Sequence, residues 1–246
     1  MRKCASLLLI VGFLFYTGTL AGGIFSGPAQ QTPGEAGRAI LADSPQRAGS
    51  ANTVTSVVVL YRGFDTLGEV TVLFLSAMGV ALLLNAFGTK REDKAGRARE
   101  AAEESGFILR SGAKILLPFF FLFGLYVISH GHLSPGGGFP GGVIIATGFF
   151  TALLTGAVES ERKRLLSLLE GLAGLSFIGL GLAGLFAPVG SFLAQIFQTG
   201  EFGTLFSAGS IPLIYAVVGV KVAAELSGAV GTLYASIGAG EREDTE

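Results

Sequence analysis

Six apolar stretches, each long enough to cross a lipid bilayer, constrain this chain more than any other feature of its sequence. A hydrocarbon core about 30 Å thick is spanned by roughly 20 helical residues. The stretches cover residues 5–24, 70–87, 115–129 (extended back towards Phe107), 139–158, 165–186 and 211–237. Charged residues make up 14% of the 246, where a soluble domain has about a quarter. The expectation is an all-α, polytopic protein of about six transmembrane helices, multi-pass in the cell membrane, with the lipid bilayer as its surroundings.

Lys and Arg set the orientation. With both termini placed in the cytoplasm, thirteen of the 17 basic residues fall on the inner side. Arg38, Arg47 and Arg62 fall on the outer side, and Lys221 lies inside a span. The first stretch has a second reading. Arg2, Lys3, the apolar run and Ala21-Gly22-Gly23 also fit a signal peptide. Residues 89–105 (TKREDKAGRAREAAEES) mix both signs and read as a cytoplasmic, partly helical linker. The chain then divides into residues 1–88, with two helices and an outer loop, a linker at 89–106, and a four-helix part at 107–246. The outer segment 25–52 is rich in Gly, Pro and Gln and is expected to be irregular.

Composition removes several functions. The net charge of −1 leaves no broad basic patch, so no nucleic acid is expected as a partner. A single cysteine, Cys4, excludes an internal disulfide framework and a multi-cysteine cluster. No nucleophile–base pair, haem motif or iron–sulfur motif is present, so the chain reads as non-catalytic, with no cofactor.

Residues 129–143 (SHGHLSPGGGFPGGV) hold both histidines and six glycines. A phosphate-binding loop needs Gly-Lys-[Ser/Thr] after its glycines, whereas Val143 and Ile144 follow here. His130 and His132 are two ligands with no Cys or carboxylate close in sequence, a poor metal site. Pro135 is expected to stop the preceding helix, and Pro140 suits the first turn of the next, where its missing N–H does no harm. Gly136, Gly137 and Gly138 lie between the two prolines. Two readings stay open: a plain tight turn, and a close-packed or re-entrant element in which backbone meets backbone.

Ionisable residues inside apolar sequence are costly and usually face a bundle interior or a water-filled path. Lys221 and Glu225 are four apart near the middle of the last span and share a face. They form either a structural ion pair or part of a proton or cation path. Gly219, Ala223, Ser227, Gly231 and Ala235 repeat every four residues on the same helix, a spacing that permits close helix contact in lipid. Asp65 and Glu69 also stand four apart, at the outer mouth of the second span, with Arg62 nearby. Asp65 alone could cap the helix. Together the two could hold a proton or cation. Glu170 sits roughly two turns inside the fifth span from the Arg162–Arg164 cluster, either as a buried carboxylate or reaching back to the interface.

Two blocks of sequence resemble known families. RSGAKILLPFFFLFGLYVISHGHLSPGGGFPGGVIIATG and GSIPLIYAVVGVKVAAELSG, within residues 107–238, resemble the B-type subunit of Mrp (Mnh) multisubunit sodium/proton antiporters. NTVTSVVVLYRGFDTLGEVTVLFLSAMGV is similar to the end of the large A-type subunit. It is also similar to the small E-type subunit of membrane-bound hydrogenases. The resemblance implies a membrane subunit of an Mrp-type cation/proton antiporter module within a hydrogenase-like or sulfur-reductase-like respiratory complex. Na⁺ and H⁺ are then the transported ions, and other membrane subunits are the partners. The alternatives are a subunit of a stand-alone antiporter and a purely structural scaffold in a proton-pumping complex.

Overall fold

The computed structural model describes residues 10–19, 34–87, 107–155 and 163–240. The linker 89–105 therefore lies outside the described residues, as does the start of the first apolar stretch. Within them the secondary structure is helical throughout. Residues 10–19 form a helix, α1 (Ile10–Thr19). Residues 1–39 and 40–246 make up separate compact units, and α1 belongs to the first.

The second unit takes in most of α2 (Glu35–Arg47) and then α3 (Thr53–Ser56), which runs into a π-helical turn at Val57–Tyr61. The long helices are α4 (Gly63–Phe87), α5 (Phe107–Ser129), α6 (Gly138–Leu154), α7 (Lys163–Gly184) and α8 (Ile211–Gly240). Four of these, α4, α5, α7 and α8, are long and apolar enough to cross a membrane. α6 and α1 are shorter apolar helices.

α8 is the axis of this unit. Half of its span is buried, against 6% for α4 and 17% for α5 and α7. It packs against α4, α6 and α7, while α6 also packs against α5. The core is built from Ile211, Ile214, Val218 and Val222 of α8 with Phe177 of α7, Ile128 of α5 and Val59 of the π-helical turn. The outward faces of α5 and α7 carry exposed Phe, Leu and Ile, among them Ile108, Phe119, Leu172 and Leu175. Continuous apolar surface of that kind belongs in lipid, where burial has no solvent-driven reward.

Two expectations are corrected. The segment 25–52 is not irregular throughout, because α2 occupies its second half. Ala-rich sequence with Glu35 in the first turn and Arg47 in the last favours a helix despite Pro45 near its end. The second apolar helix also starts well before Val70, at Gly63, because the π-helical turn feeds directly into it. Asp65 therefore stands inside the first turn instead of capping the helix. Its carboxylate pairs with the Arg62 guanidinium, both largely exposed.

Candidate functional site

Lys221 and Glu225 form the buried centre. One helical turn separates them, so the Lys221 Nζ donates to Glu225 Oε2 at 3.0 Å. Their side chains are 7% and 1% exposed. Three helices enclose the pair. From α4, the Phe74 ring lies under the ammonium, 5.1 Å from Nζ to centroid, a cation–π contact. From α7, Gly174 leaves room for the lysine stem; a Cβ there would touch its Cδ and Cε at 3.8 Å. Glu170, one turn earlier on α7 and half-buried, is close enough for its charge to act on Glu225. Glu225 Oε1 accepts no hydrogen bond. A buried carboxylate oxygen without a donor is expensive, so this atom is where the site departs from simple structural economy.

The carboxylates near the start of α4 are arranged differently. Asp65 and Glu69 are both exposed on α4. Arg62 takes up Asp65. The Glu69 charge acts on the hydroxyl of Tyr215, near the start of α8. That hydroxyl donates to Thr55 Oγ1 at 2.9 Å, and Thr55 Oγ1 donates in turn to the Gly131 carbonyl at 2.7 Å. Thus α8, α3 and the glycine hairpin meet in one buried relay beside Glu69.

The hairpin is a close-packed element. α5 ends at Ser129, well before Pro135, which is exposed in the turn. The expectation that Pro135 stops the helix is corrected: the His130 N–H still bonds the Tyr126 carbonyl, and the chain then tightens through Leu133 N–H to the His130 carbonyl. Gly137 has φ +128°, a backbone state that side chains rarely adopt, and its Cα faces the Tyr215 ring. A Cβ on Gly136 would sit 3.0 Å from the Val127 carbonyl oxygen. On α6, a Cβ at Gly138 would meet the Gly219 nitrogen at 3.0 Å, and one at Gly142 the Gly219 carbonyl oxygen at 2.8 Å. On the other face, a Cβ at Gly141 would meet the Gly124 carbonyl oxygen at 2.7 Å. The glycines let α6 press its backbone against α8 on one side and α5 on the other.

The histidines act separately. His130 stacks on Tyr126, with centroids 4.2 Å apart, and its Nδ1 lies 3.0 Å from Ser129 Oγ. His132 is fully buried, with Nε2 3.3 Å from the Thr204 carbonyl and no partner at Nδ1. Burial lowers its pKa from the ordinary 6.5, so it is held neutral. Among the described residues there is no group of three or more His, Cys, Asp or Glu placed to hold a metal.

Several residues that tie α3, the hairpin and the entry of α8 together carry no sequence signal by themselves. Asn52 caps α3 by accepting from the Val54 N–H, and its amide donates to the Gly131 and Ser134 carbonyls. Gln195 donates to the Ala48 and Ala208 carbonyls and accepts from the Ser210 N–H and hydroxyl. Single polar side chains bridging sequence separations above 70 residues show no periodicity. Phe74, in sequence, is one apolar residue in an apolar helix.

The fold and the buried pair define a helical membrane protein with polar groups inside its helix packing. Comparison with known proteins gives the family. Residues 108–228 match the domain related to the MnhB subunit of Na⁺/H⁺ antiporters, and residues 2–100 match MbhE, the E-type subunit of MBH. An uncharacterized protein of Methanocaldococcus jannaschii is 32% identical over 199 residues, 72% of this chain and 74% of that protein. The probable A/B-type subunit of a K⁺/H⁺ antiporter of Rhizobium meliloti is 30% identical over 196 residues, 70% of this chain but 19% of that protein. Among solved structures, a chain of the membrane-bound sulfane sulfur reductase, an archaeal respiratory membrane complex, superposes with a TM-score of 0.74. It is 40% identical, and the match covers 95% of this chain and 98% of that one. A chain of the Mrp complex from Dietzia sp. DQ12-45-1b superposes with a TM-score of 0.68 at 25% identity, covering 93% of this chain and 26% of that one. The chain belongs to the family of membrane subunits in which an MbhE-like part is followed by an MnhB-related domain.

Proposed function

We propose that the chain is a membrane subunit of an Mrp-type cation/proton antiporter module within a respiratory membrane complex of the hydrogenase or sulfur-reductase kind. The near full-length likeness to a chain of the sulfane sulfur reductase carries this reading, because both parts of the chain are matched in one polypeptide. Likeness to the MnhB-related domain of Na⁺/H⁺ antiporters and to a segment of a probable K⁺/H⁺ antiporter subunit supports cation/proton antiport as the work of the module, with Na⁺ as the cation by the first of these. The chain itself contributes helices and buried charges, with catalysis left to other subunits. Six spans with both termini in the cytoplasm, and the parts 1–88 and 107–246 joined by the linker, complete the reading.

Lys221 and Glu225 belong to the ion path, with Glu170 on the inner side of them and Glu69 and Asp65 at the outer mouth. Purification of the native complex with identification of its subunits tests the first statement. Recovery of antiporter subunits without redox subunits would favour a stand-alone antiporter. For the site, Lys221→Met with Glu225→Leu should give an intact complex with impaired cation/proton exchange. The measurement is dissipation of pH and sodium gradients in vesicles holding equal amounts of complex. Full exchange would leave the scaffold reading, which the closed ion pair and the Phe74 contact also favour. Loss of one partner alone should destabilise by about 3–5 kcal/mol, since it strands a buried charge.

A further inference from the structure

We propose that the buried Lys221–Glu225 pair, with the half-buried Glu170 beside it, binds a proton at Glu225 Oε1 and excludes sodium, an inference that rests on the reading of the pair as part of the ion path. Formal charge gives the first reason. Lys221 carries one positive charge, and Glu225 and Glu170 carry two negative charges, so the group has one negative charge in excess. One bound cation makes it neutral. Glu225 Oε2 is already occupied by the Lys221 ammonium, and Oε1, on a side chain 1% exposed, is without a donor.

Ligand chemistry decides which cation. A proton needs one acceptor atom. A hard metal cation takes about six oxygen ligands. The neighbours placed against the lysine are Phe74 and Gly174, which offer no side-chain oxygen, and the carbonyls of α7 and α8 are engaged in their helices. Two carboxylates are too few, and the ammonium 3.0 Å from Oε2 already fills the place of a resident cation. The charges that act on Glu225 are Lys221 on its own helix and Glu170 on α7. α6 contains no ionisable residue. On α4, Glu69 and Asp65 precede Phe74 by about 7 Å and about 13 Å along the axis, and neither is among the charges that act on Glu225. α5 reaches α8 through Ile128 at Gly219, whereas its Arg110 and Lys114 lie near its other end.

The step is a proton transfer. An O–H bond forms at Oε1 as an O–H bond of hydronium breaks, leaving water, while the Nζ–H···Oε2 bond is kept. The reverse transfer to water on the other side completes a passage.

The test uses the whole complex purified from cells carrying variants of this chain. Infrared difference spectra on acidification should show a carboxylic-acid C=O band in the parent complex. That band should vanish in Glu225→Gln and persist, shifted, in Glu225→Asp. Sodium added at fixed pH should leave it unchanged, and ²²Na⁺ bound per complex should be the same in the parent and in Glu225→Gln. In vesicles, Glu225→Gln should lose proton flux by roughly a hundredfold, with partial recovery in Glu225→Asp. A sodium-dependent change of the band in the parent, or loss of one bound sodium per complex in Glu225→Gln, would overturn the proposal. Absence of any Glu225 band would also overturn it. If Lys221→Met with Glu225→Leu exchanges fully while the parent band responds to acid alone, the path reading falls and the proton site stands.

Discussion

At the residue scale, two buried polar groups make separate predictions. Thr55 links the Tyr215 hydroxyl to the Gly131 carbonyl. Thr55→Val keeps the shape and removes both bonds, so the complex should lose about 1–3 kcal/mol, read as a lower midpoint of thermal unfolding. Tyr215→Phe in the same background should restore part of that loss, since it removes the stranded hydroxyl. His132 sets a pH dependence. Its folded-state pKa lies below the ordinary 6.5 because burial disfavours the charged ring, with the nearby His130 adding to this. The stability it contributes is therefore full above the unfolded value and is lost as the pH falls below about 6.5. The melting midpoint should fall on acidification from about pH 7.5 to about 5.5, and His132→Gln should flatten that fall. An equal fall in the variant would assign the effect elsewhere.

Elements show how far pattern carries. The long helices were legible because apolar runs of bilayer length admit few alternatives. The start of α4 was not, because a π-helical turn leaves no mark in hydropathy. The Lys221–Glu225 pair was legible from spacing. Its enclosure by Phe74 and Gly174 was not, because helix rotation about a neighbour is a tertiary fact. The small-residue stripe on α8 was half informative. Gly219 packs against Ile128, but a Cβ at Gly231 meets nothing within 4 Å. The glycines of α6 carry more of the packing than those of α8. Gly142→Val should force α6 away from α8 and cost at least 1–3 kcal/mol or prevent assembly, whereas Gly231→Ala should be neutral. Native gel electrophoresis of membranes from both variants compares them directly.

On the scale of the whole molecule, the segments assigned to the outer side by the charge bias do lie together. Ser50 and Asn52 bond the hairpin, His132 meets Thr204, and Gln195 ties Ala48 to the entry of α8. The proposed topology places the linker in the cytoplasm. Ala101→Cys, in the linker, should stay unlabelled by an impermeant thiol reagent added outside sealed cells, and labelling would reverse the topology.

The Phe74–Lys221 contact joins the part of the chain matched by the MbhE family to the part matched by the MnhB family. If the two were separate polypeptides, the aromatic ring would have to find its ammonium by diffusion in the bilayer. Tethering replaces that bimolecular encounter with an intramolecular one at high effective concentration. It also fixes the two parts at one-to-one stoichiometry, so no copy of the buried lysine is synthesised without its ring.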